Sequence, residues 1–208
     1  EPPKPVVTAW QYGYGEYHET SKRIKDFHPL PHFTGDAWQG GANWPDAKLG
    51  WVQLTAEGGH AGNDLQHAAI RRWVAPRDAV VSINGKVAHT SEAGDGIRAF
   101  LVSSRAGQLG SWTLHNQNAE AEVKSLEVKA GDTVDFVVDF RANLNSDMFT
   151  WSPVIKLAGS TAALAGADYE KEWNAKKDFS GPVAPPAPLT PWEKYAQVLL
   201  LSNEFAFV

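Results

Sequence analysis

The sequence predicts a mainly β protein, an antiparallel β-sandwich of jelly-roll type that is followed by a C-terminal helical tail. Between residues 6 and 157, short runs rich in Val, Ile, Phe, Trp and Thr recur, and Gly, Asn, Asp and Pro separate them. No helical periodicity lies between these runs, which favours a sandwich or barrel over a parallel sheet. After about residue 158 the chain changes to helical and Pro-rich segments.

The β region contains several segments that are predicted as strands from their alternation. Asn84-Gly85 is a typical hairpin turn, so residues 80–87 are expected to form a strand that turns there. The stretch 16–50 has little periodicity and is expected to be ordered loop with one or two strands. The remaining predicted strands are residues 97–104, 122–128, 133–140 and 149–157.

The boundaries divide the chain into a linker (1–5), a β-sandwich (6–157) and a helical tail (158–208). Within the tail, residues 162–179 are predicted to be helical, and the Pro-rich run 180–188 is predicted to be a stiff extended linker. Thr190 and Glu193 form a capping box with Pro191 at the first helical position, so a second helix is expected to run through Leu201.

Composition excludes several classes of protein. The chain has 208 residues, a net charge of −5 and no cysteine. Disulfides, thiolate metal sites and cysteine nucleophiles are therefore excluded. The one basic cluster, residues 21–25, is short and is interpreted as a solvated loop, so nucleic acid is not an expected partner. No apolar run approaches the ~20 residues of a membrane span.

Nine tryptophans predict a surface that stacks on flat apolar faces such as sugar rings, although about half of them are expected in the core. Trp51 is expected to be buried, because it alternates with Leu49. For Trp38 and Trp44, burial and exposure remain open. With Tyr12 and Tyr14 they would form the stacking platform.

Polar candidates for a ligand site lie in two places. His60, Asn63 and Asp64 follow Gly58-Gly59, where the backbone can approach a ligand closely, but the same residues also suit a simple tight loop. Arg72 and Arg98 would clamp an acidic sugar if they share a sheet face; the alternative is that both are structural arginines paired within the protein.

Two aspartates are candidates for a metal site. Asp95 stands between two glycines, and Asp147 follows an Asn- and Ser-rich loop, so either can contribute to a Ca²⁺ site or simply cap a turn. Beyond this Ca²⁺ alternative, the sequence predicts no cofactor. His28 and His32 have metal-ligand spacing, but the intervening prolines forbid the helix that this spacing needs.

The C-terminal run 189–205 resembles the terminal helix of exported planctomycete proteins that join a cytochrome c-like domain to other domains. The body resembles a jelly-roll insert of some of those proteins. This resemblance implies an exported protein and glycan binding; the haem motif is absent, so no haem is carried over. The motifs that carry it in the body are Trp10-Gln11-Tyr12-Gly13-Tyr14-Gly15, Trp38-Gln39-Gly40-Gly41, Gly58-Gly59-His60, Arg71-Arg72-Trp73, Gly94-Asp95-Gly96-Ile97-Arg98, residues 131–136 and residues 145–151.

These observations favour a non-catalytic module that binds an extracellular, possibly acidic, polysaccharide. One alternative is a structural domain that orients neighbouring domains of a larger parent. A second is a polysaccharide lyase or hydrolase with a jelly-roll fold, although no nucleophile elbow or phosphate loop is present.

Overall fold

The computed structural model describes residues 8–158, 171–182 and 189–201. Within them lie fifteen strands, a short 3-10 helix (Leu65–His67) and one α-helix, α1 (Pro191–Leu201). In chain order, the strands are β1 (Trp10–His18), β2 (Arg23–Pro29), β3 (His32–Phe33), β4 (Ala37–Gln39), β5 (Gln53–Thr55), β6 (Gly58–His60), β7 (Ala68–Val74), β8 (Ala79–His89), β9 (Ile97–Ser103), β10 (Gly107–Leu114), β11 (Gln117–Val128), β12 (Thr133–Phe140), β13 (Met148–Trp151), β14 (Val154–Leu157) and β15 (Glu172–Asn174).

The strands form two antiparallel sheets, which confirms the predicted β-sandwich. The six-stranded sheet has the order β10-β9-β12-β7-β1-β2. The nine-stranded sheet has the order β15-β14-β8-β13-β6-β5-β4-β3, with β11 paired to β8. Alternate side chains of both sheets point inward and form one core.

The largest buried side chains of this core are Trp73, Trp151 and Trp173. Arg71 also points inward and is 2% exposed; its guanidinium donates to the carbonyls of Thr55, Ala56 and Ala175. Burial lowers the pKa of Arg71 to about 10. One of the two neighbouring arginines therefore faces inward, as the alternation along β7 predicts.

The outer face of the six-stranded sheet is covered by the hairpin of β1 and β2. The rings of Tyr17 and Phe100 stack with 3.9 Å between their centroids, and Ile70 and Val137 are fully buried beside them. The hairpin bends at a register shift between Tyr14 and Glu16. The fold thus has a second, smaller core outside the sandwich.

Most predicted strands are confirmed, but the hairpin at Asn84-Gly85 is wrong. Strand β8 runs straight through this dipeptide, pairing Gly85 with Ala121 of β11. A Cβ at Gly85 would lie 3.1 Å from the Cα of Pro153. The glycine therefore serves the close approach of the β13–β14 junction rather than a turn. The stretch 16–50 also contains more strand than expected, because β2, β3 and β4 all lie within it.

The tail differs from its prediction at one helix. Residues 171–179 of the predicted helix 162–179 contain strand β15, whose Trp173 is 2% exposed in the core; residues 162–170 lie outside the described part. The second helix is confirmed, with Thr190 and Glu193 bonded reciprocally as a capping box. The division into domains stays a prediction. Among the described residues, no helix is long and apolar enough to cross a bilayer.

Candidate functional site

A loop between β4 and β5 (residues 40–52) folds over the outer face of the nine-stranded sheet. Asp46 holds this loop in shape, since its carboxylate accepts hydrogen bonds from the backbone N–H groups of Lys48 and Leu49 at 2.9 and 2.8 Å. These bonds lower the pKa of Asp46. At Gly50, where φ is +63°, the chain returns toward the sheet and presents Trp51.

We name the cluster formed by Trp44, Trp51, His60 and Asn63 the Trp44–Trp51 platform. The two indoles meet edge to face, with 4.9 Å between their centroids and an angle of 87°. The indole N–H of Trp44 donates to the carbonyl of Trp51 at 2.9 Å, and the backbone N–H of Trp51 donates to the side-chain oxygen of Asn63 at 3.2 Å. These two hydrogen bonds hold the backbone of Trp51, and its ring packs against the rings of Trp44 and His60 at the surface, where 37% of the residue is exposed.

His60 forms the floor of the platform. Its ring lies 5.8 Å from the ring of Trp44 and 5.6 Å from that of Trp51, and the residue is 6% exposed. Nδ1 lies 2.7 Å from the carbonyl of Ala61, so Nδ1 carries the proton that it donates there. Burial lowers the pKa of His60, so the imidazole is neutral at pH 7.

A row of polar side chains continues from His60 across the same sheet face. Strand pairing places Gln53 opposite His60, and Gln39 opposite Gln53. The amide of Gln53 donates to the amide oxygen of Gln39 at 2.8 Å, and Gln39 donates to the carbonyl of Gly41 at 2.7 Å. The platform therefore borders on uncharged hydrogen-bonding groups.

A polar pocket of about 270 Å³ lies on the other side of the loop 61–67. The Tyr14 ring lies 5.4 Å from that of His28 and 5.2 Å from that of His67, whose Nδ1 is 2.7 Å from a carboxylate oxygen of Asp64. Asp64 also accepts from the backbone of Gln66 and so caps the 3-10 helix. We name this cavity the Tyr14 pocket; its lining residues are Tyr14, Glu16, Lys25, Asp26, His28, Gln66 and His67.

The structure brings five of the predicted ligand residues to this end of the fold. Asn63 contacts the platform and its neighbour Asp64 contacts the pocket, so the two features flank one short loop. The prediction that Trp51 is buried is wrong, because the loop 40–52 carries this residue out of the alternating strand pattern. The five residues are Tyr14, Trp44, His60, Asn63 and Asp64.

Tyr12 and Trp38 face the inner side of the sandwich, so of the two alternatives left open for Trp38 the structure favours packing, and neither ring extends the platform. Tyr12 is 5% exposed, and its ring packs against those of Trp38 and Phe179 at 6.0 and 4.8 Å. The indole N–H of Trp38 donates to the carbonyl of Ser180 at 2.8 Å. Burial raises the pKa of Tyr12 to about 12. This pair packs the segment 179–182 onto the sandwich and cannot stack on the same ligand as Trp44.

Arg72 and Arg98 share the outer face of the six-stranded sheet, as a clamp for an acidic sugar requires. Their guanidinium groups, however, already bind carboxylates of the protein. Arg72 binds Asp135 through two bonds of 2.7 and 3.0 Å. Arg98 binds Asp139 through two bonds of 2.8 and 2.6 Å. Phe27 of the covering hairpin lies over Arg72 at 3.9 Å. Both arginines are therefore structural residues that are paired within the protein, and they do not belong to the candidate site.

Asp95 and Asp147 lie in two adjoining loops at residues 90–96 and 141–147. A carboxylate oxygen of Asp95 accepts from the backbone N–H of Ala142 at 2.8 Å. The other oxygen of Asp95 and both oxygens of Asp147 are buried and have no hydrogen-bond partner among the residues that the structure describes. No cluster of three or more His, Asp or Glu side chains suited to a metal occurs among the described residues.

Sequence reasoning missed the two histidines that flank Tyr14. His28 was discounted because the prolines forbid a helix, yet it lies on β2, where strand pairing places it opposite Tyr14. His67 carried no signal other than its position three residues after Asp64, the spacing of a capped turn.

Comparisons with known proteins give only a distant likeness. No family model and no curated protein matches the chain. A solved structure of a family 35 carbohydrate-binding module from an environmental isolate matches 61% of this chain and 89% of its own, with 15% identity and a TM-score of 0.27. A likeness this distant assigns neither a family nor a function, so the resemblance to exported planctomycete proteins stays a prediction.

Proposed function

We propose that this protein binds a carbohydrate outside the cell, without transforming it, at the Trp44–Trp51 platform. The observation that carries the proposal is the ring of Trp51, which is 37% exposed and packs against the rings of Trp44 and His60. An apolar ring that is already immobilised loses little conformational entropy when a ligand stacks on it. The apolar C–H face of a pyranose is a flat partner for such a ring.

The groups around Trp51 suit the hydroxyls of a sugar. The amide of Asn63 lies on one side, and the Gln39–Gln53 row continues from His60 along the sheet. On the far side of loop 61–67, the Tyr14 pocket offers carboxylate, amide and imidazole groups in a cavity of about 270 Å³. Sites for small polar ligands combine a flat apolar surface with a few oriented polar groups in this way.

We propose a neutral polysaccharide rather than an acidic one. A preference for acidic sugars rested on Arg72 and Arg98, and each of these is neutralised by a carboxylate of the protein. The platform itself consists of two indoles, an amide and an imidazole whose pKa is lowered by burial. None of these groups carries a positive charge at pH 7.

The test is Trp51→Ala, assayed by calorimetry and by retardation in gels that contain neutral or acidic polysaccharides. We expect Trp51→Ala to weaken binding at least about tenfold, which corresponds to ~1.4 kcal/mol. The matched control is Trp192→Ala, because Trp192 is 80% exposed on α1 and should not affect binding. Unchanged affinity in Trp51→Ala, with an unaltered circular dichroism spectrum, would rule out the platform as the site.

A docking role is a second candidate, favoured by α1. Its side chains Trp192, Val198 and Leu200 are 80%, 65% and 75% exposed, whereas an amphipathic helix ordinarily buries its apolar stripe. Such a helix would orient neighbouring domains of a larger parent. Absence of binding to any polysaccharide, together with unchanged helicity, would favour this role. Release of new reducing ends from a bound polysaccharide would instead indicate the lyase or hydrolase alternative.

A further inference from the structure

The loops 90–96 and 141–147 enclose an unusual set of oxygen atoms. Asp147 is 0% exposed, and within residues 8–158, 171–182 and 189–201 neither of its carboxylate oxygens has a hydrogen-bond partner. One oxygen of Asp95 is also buried without a partner in this part of the chain. Buried polar atoms in folded proteins are nearly always satisfied by protein, water or an ion. Three unsatisfied carboxylate oxygens in two touching loops therefore require an explanation.

The basic side chains on the loops and strands that flank Asp95 and Asp147 do not supply the missing positive charge. Arg98 is bound to Asp139 and Glu19. Arg141 donates to the backbone carbonyl of Asp95 at 2.6 Å, and no ion pair from it to either aspartate is present among the described residues. His89 accepts a backbone N–H at Nδ1 and contacts the carbonyl of Ser146 through Nε2, so both of its ring nitrogens are engaged by backbone groups.

Close backbone contacts and hydrogen bonds hold the two loops that carry Asp95 and Asp147 against each other. A Cβ at Gly94, where φ is +81°, would lie 1.8 Å from the carbonyl oxygen of Asn145. The carboxylate of Asp95 bonds the backbone of Ala142, and the ring of His89 bonds the carbonyl of Ser146. The two loops are thus held by contacts that do not use the three unpartnered oxygens.

We propose that Asp95 and Asp147 bind a divalent cation, and that this cation is Ca²⁺. Protonation alone would remove one charge but would leave carboxyl oxygens without partners. One cation would engage all three oxygens and neutralise both carboxylates. Calcium suits this arrangement because it accepts six to eight oxygen ligands in flexible geometry, including backbone carbonyls and water. Magnesium demands a stricter octahedron and loses its water reluctantly.

The proposal is tested by thermal unfolding of the whole chain in EDTA and in excess CaCl₂ or MgCl₂. Extracellular calcium modules bind with a Kd of about 10⁻⁴–10⁻³ M. At a calcium concentration about 100 times the Kd, we expect the unfolding temperature to rise by roughly 5–10 °C, and magnesium to give a smaller rise. No rise with calcium in the wild-type protein would overturn the proposal.

Substitution of each aspartate tests whether it is a ligand of the calcium ion. Asp147→Asn keeps the shape of the side chain but removes its charge, so we expect its unfolding temperature to be insensitive to calcium. The control Asp36→Asn removes an exposed carboxylate and should retain the full rise. If Asp147→Asn does not fold, Asp95→Asn makes the same test, and the loss of sensitised terbium luminescence is the second readout. A calcium response that survives in either folded variant contradicts the proposal.

Discussion

Two regions of this protein bury aspartates in opposite ways. On the outer face of the six-stranded sheet, Asp135 and Asp139 are 2% and 1% exposed, and each binds an arginine through two hydrogen bonds. In the loops 90–96 and 141–147, Asp147 is equally buried but has neither an ion pair nor a hydrogen-bond donor within the described part of the chain. Burial alone therefore does not show whether a carboxylate is paired within the protein or is free to bind a ligand.

The pKa values express the same contrast. Burial raises the pKa of Asp139 to about 6, although the hydrogen bonds from Arg98 act in the opposite direction. For Asp147, burial and the neighbouring charges of Asp95 and Asp139 all raise the pKa, which reaches about 7. A buried carboxylate that lacks a partner and is close to other acids is the less stable arrangement. Arg72 and Arg98, the arginine candidates for ligand binding, belong to the region in which each buried carboxylate is paired with an arginine.

The largest expected effect comes from breaking a satisfied pair. Arg98→Leu leaves Asp139 buried without its cation, so we expect a loss of about 3–5 kcal/mol in the free energy of unfolding. Urea unfolding at pH 7 measures this loss. The control is the double variant Arg98→Leu/Asp139→Leu, which removes both charges and should recover most of the stability. A loss below about 1 kcal/mol in the single variant would mean that the pair is not structural.

The unsatisfied region is tested by the pH dependence of stability in EDTA. Because the folded pKa of Asp147 is about 7 and its ordinary value is 3.8, the folded protein holds a proton that the unfolded chain has released between these pH values. Stability therefore falls as the pH rises from 4 to 7, by roughly 4 kcal/mol for this group. Asp147→Asn should lack this component. Parallel pH profiles for the two proteins would show that Asp147 does not titrate in this range.

A strand could be predicted from the sequence where apolar side chains alternate along it. It could not be predicted where pairing with another strand determines its structure. Residues 133–140 were predicted as a strand, and β12 has these bounds because its Val and Phe side chains alternate along one face. Residues 171–179 were predicted to be helical from local composition, yet Trp173 enters the core through the pairing of β15 with β14. Tertiary packing of one large side chain overrides a weak local helix preference.

The site shows the same limit. Alternation along β7 predicts that Arg71 and Arg72 lie on opposite faces, but it does not say which of them is buried. The partners of Arg72 and Arg98 depend on the register between strands that are about 40 to 60 residues apart in the chain. The loop sequences alone make Asp95 and Asp147 candidates for a metal site. Their burial distinguishes them from ordinary turn residues, and no local sequence pattern predicts that burial.

The smallest expected loss of stability comes from breaking an exposed ion pair. Arg105 binds Asp132 at 2.7 Å, a geometry as good as that of the buried pairs, but the side chain of Arg105 is 47% exposed. Solvent and salt screen such a pair, so Arg105→Leu should destabilise the protein far less than Arg98→Leu. At about 1 M NaCl the screening length falls to about 3 Å, and the remaining effect of Arg105→Leu should vanish while that of Arg98→Leu persists. Urea unfolding of both variants at low and high salt measures this difference. Equal losses that do not respond to salt would mean that exposure does not separate the two kinds of pair, and that the distinction between satisfied and available charges must rest on hydrogen bonding alone.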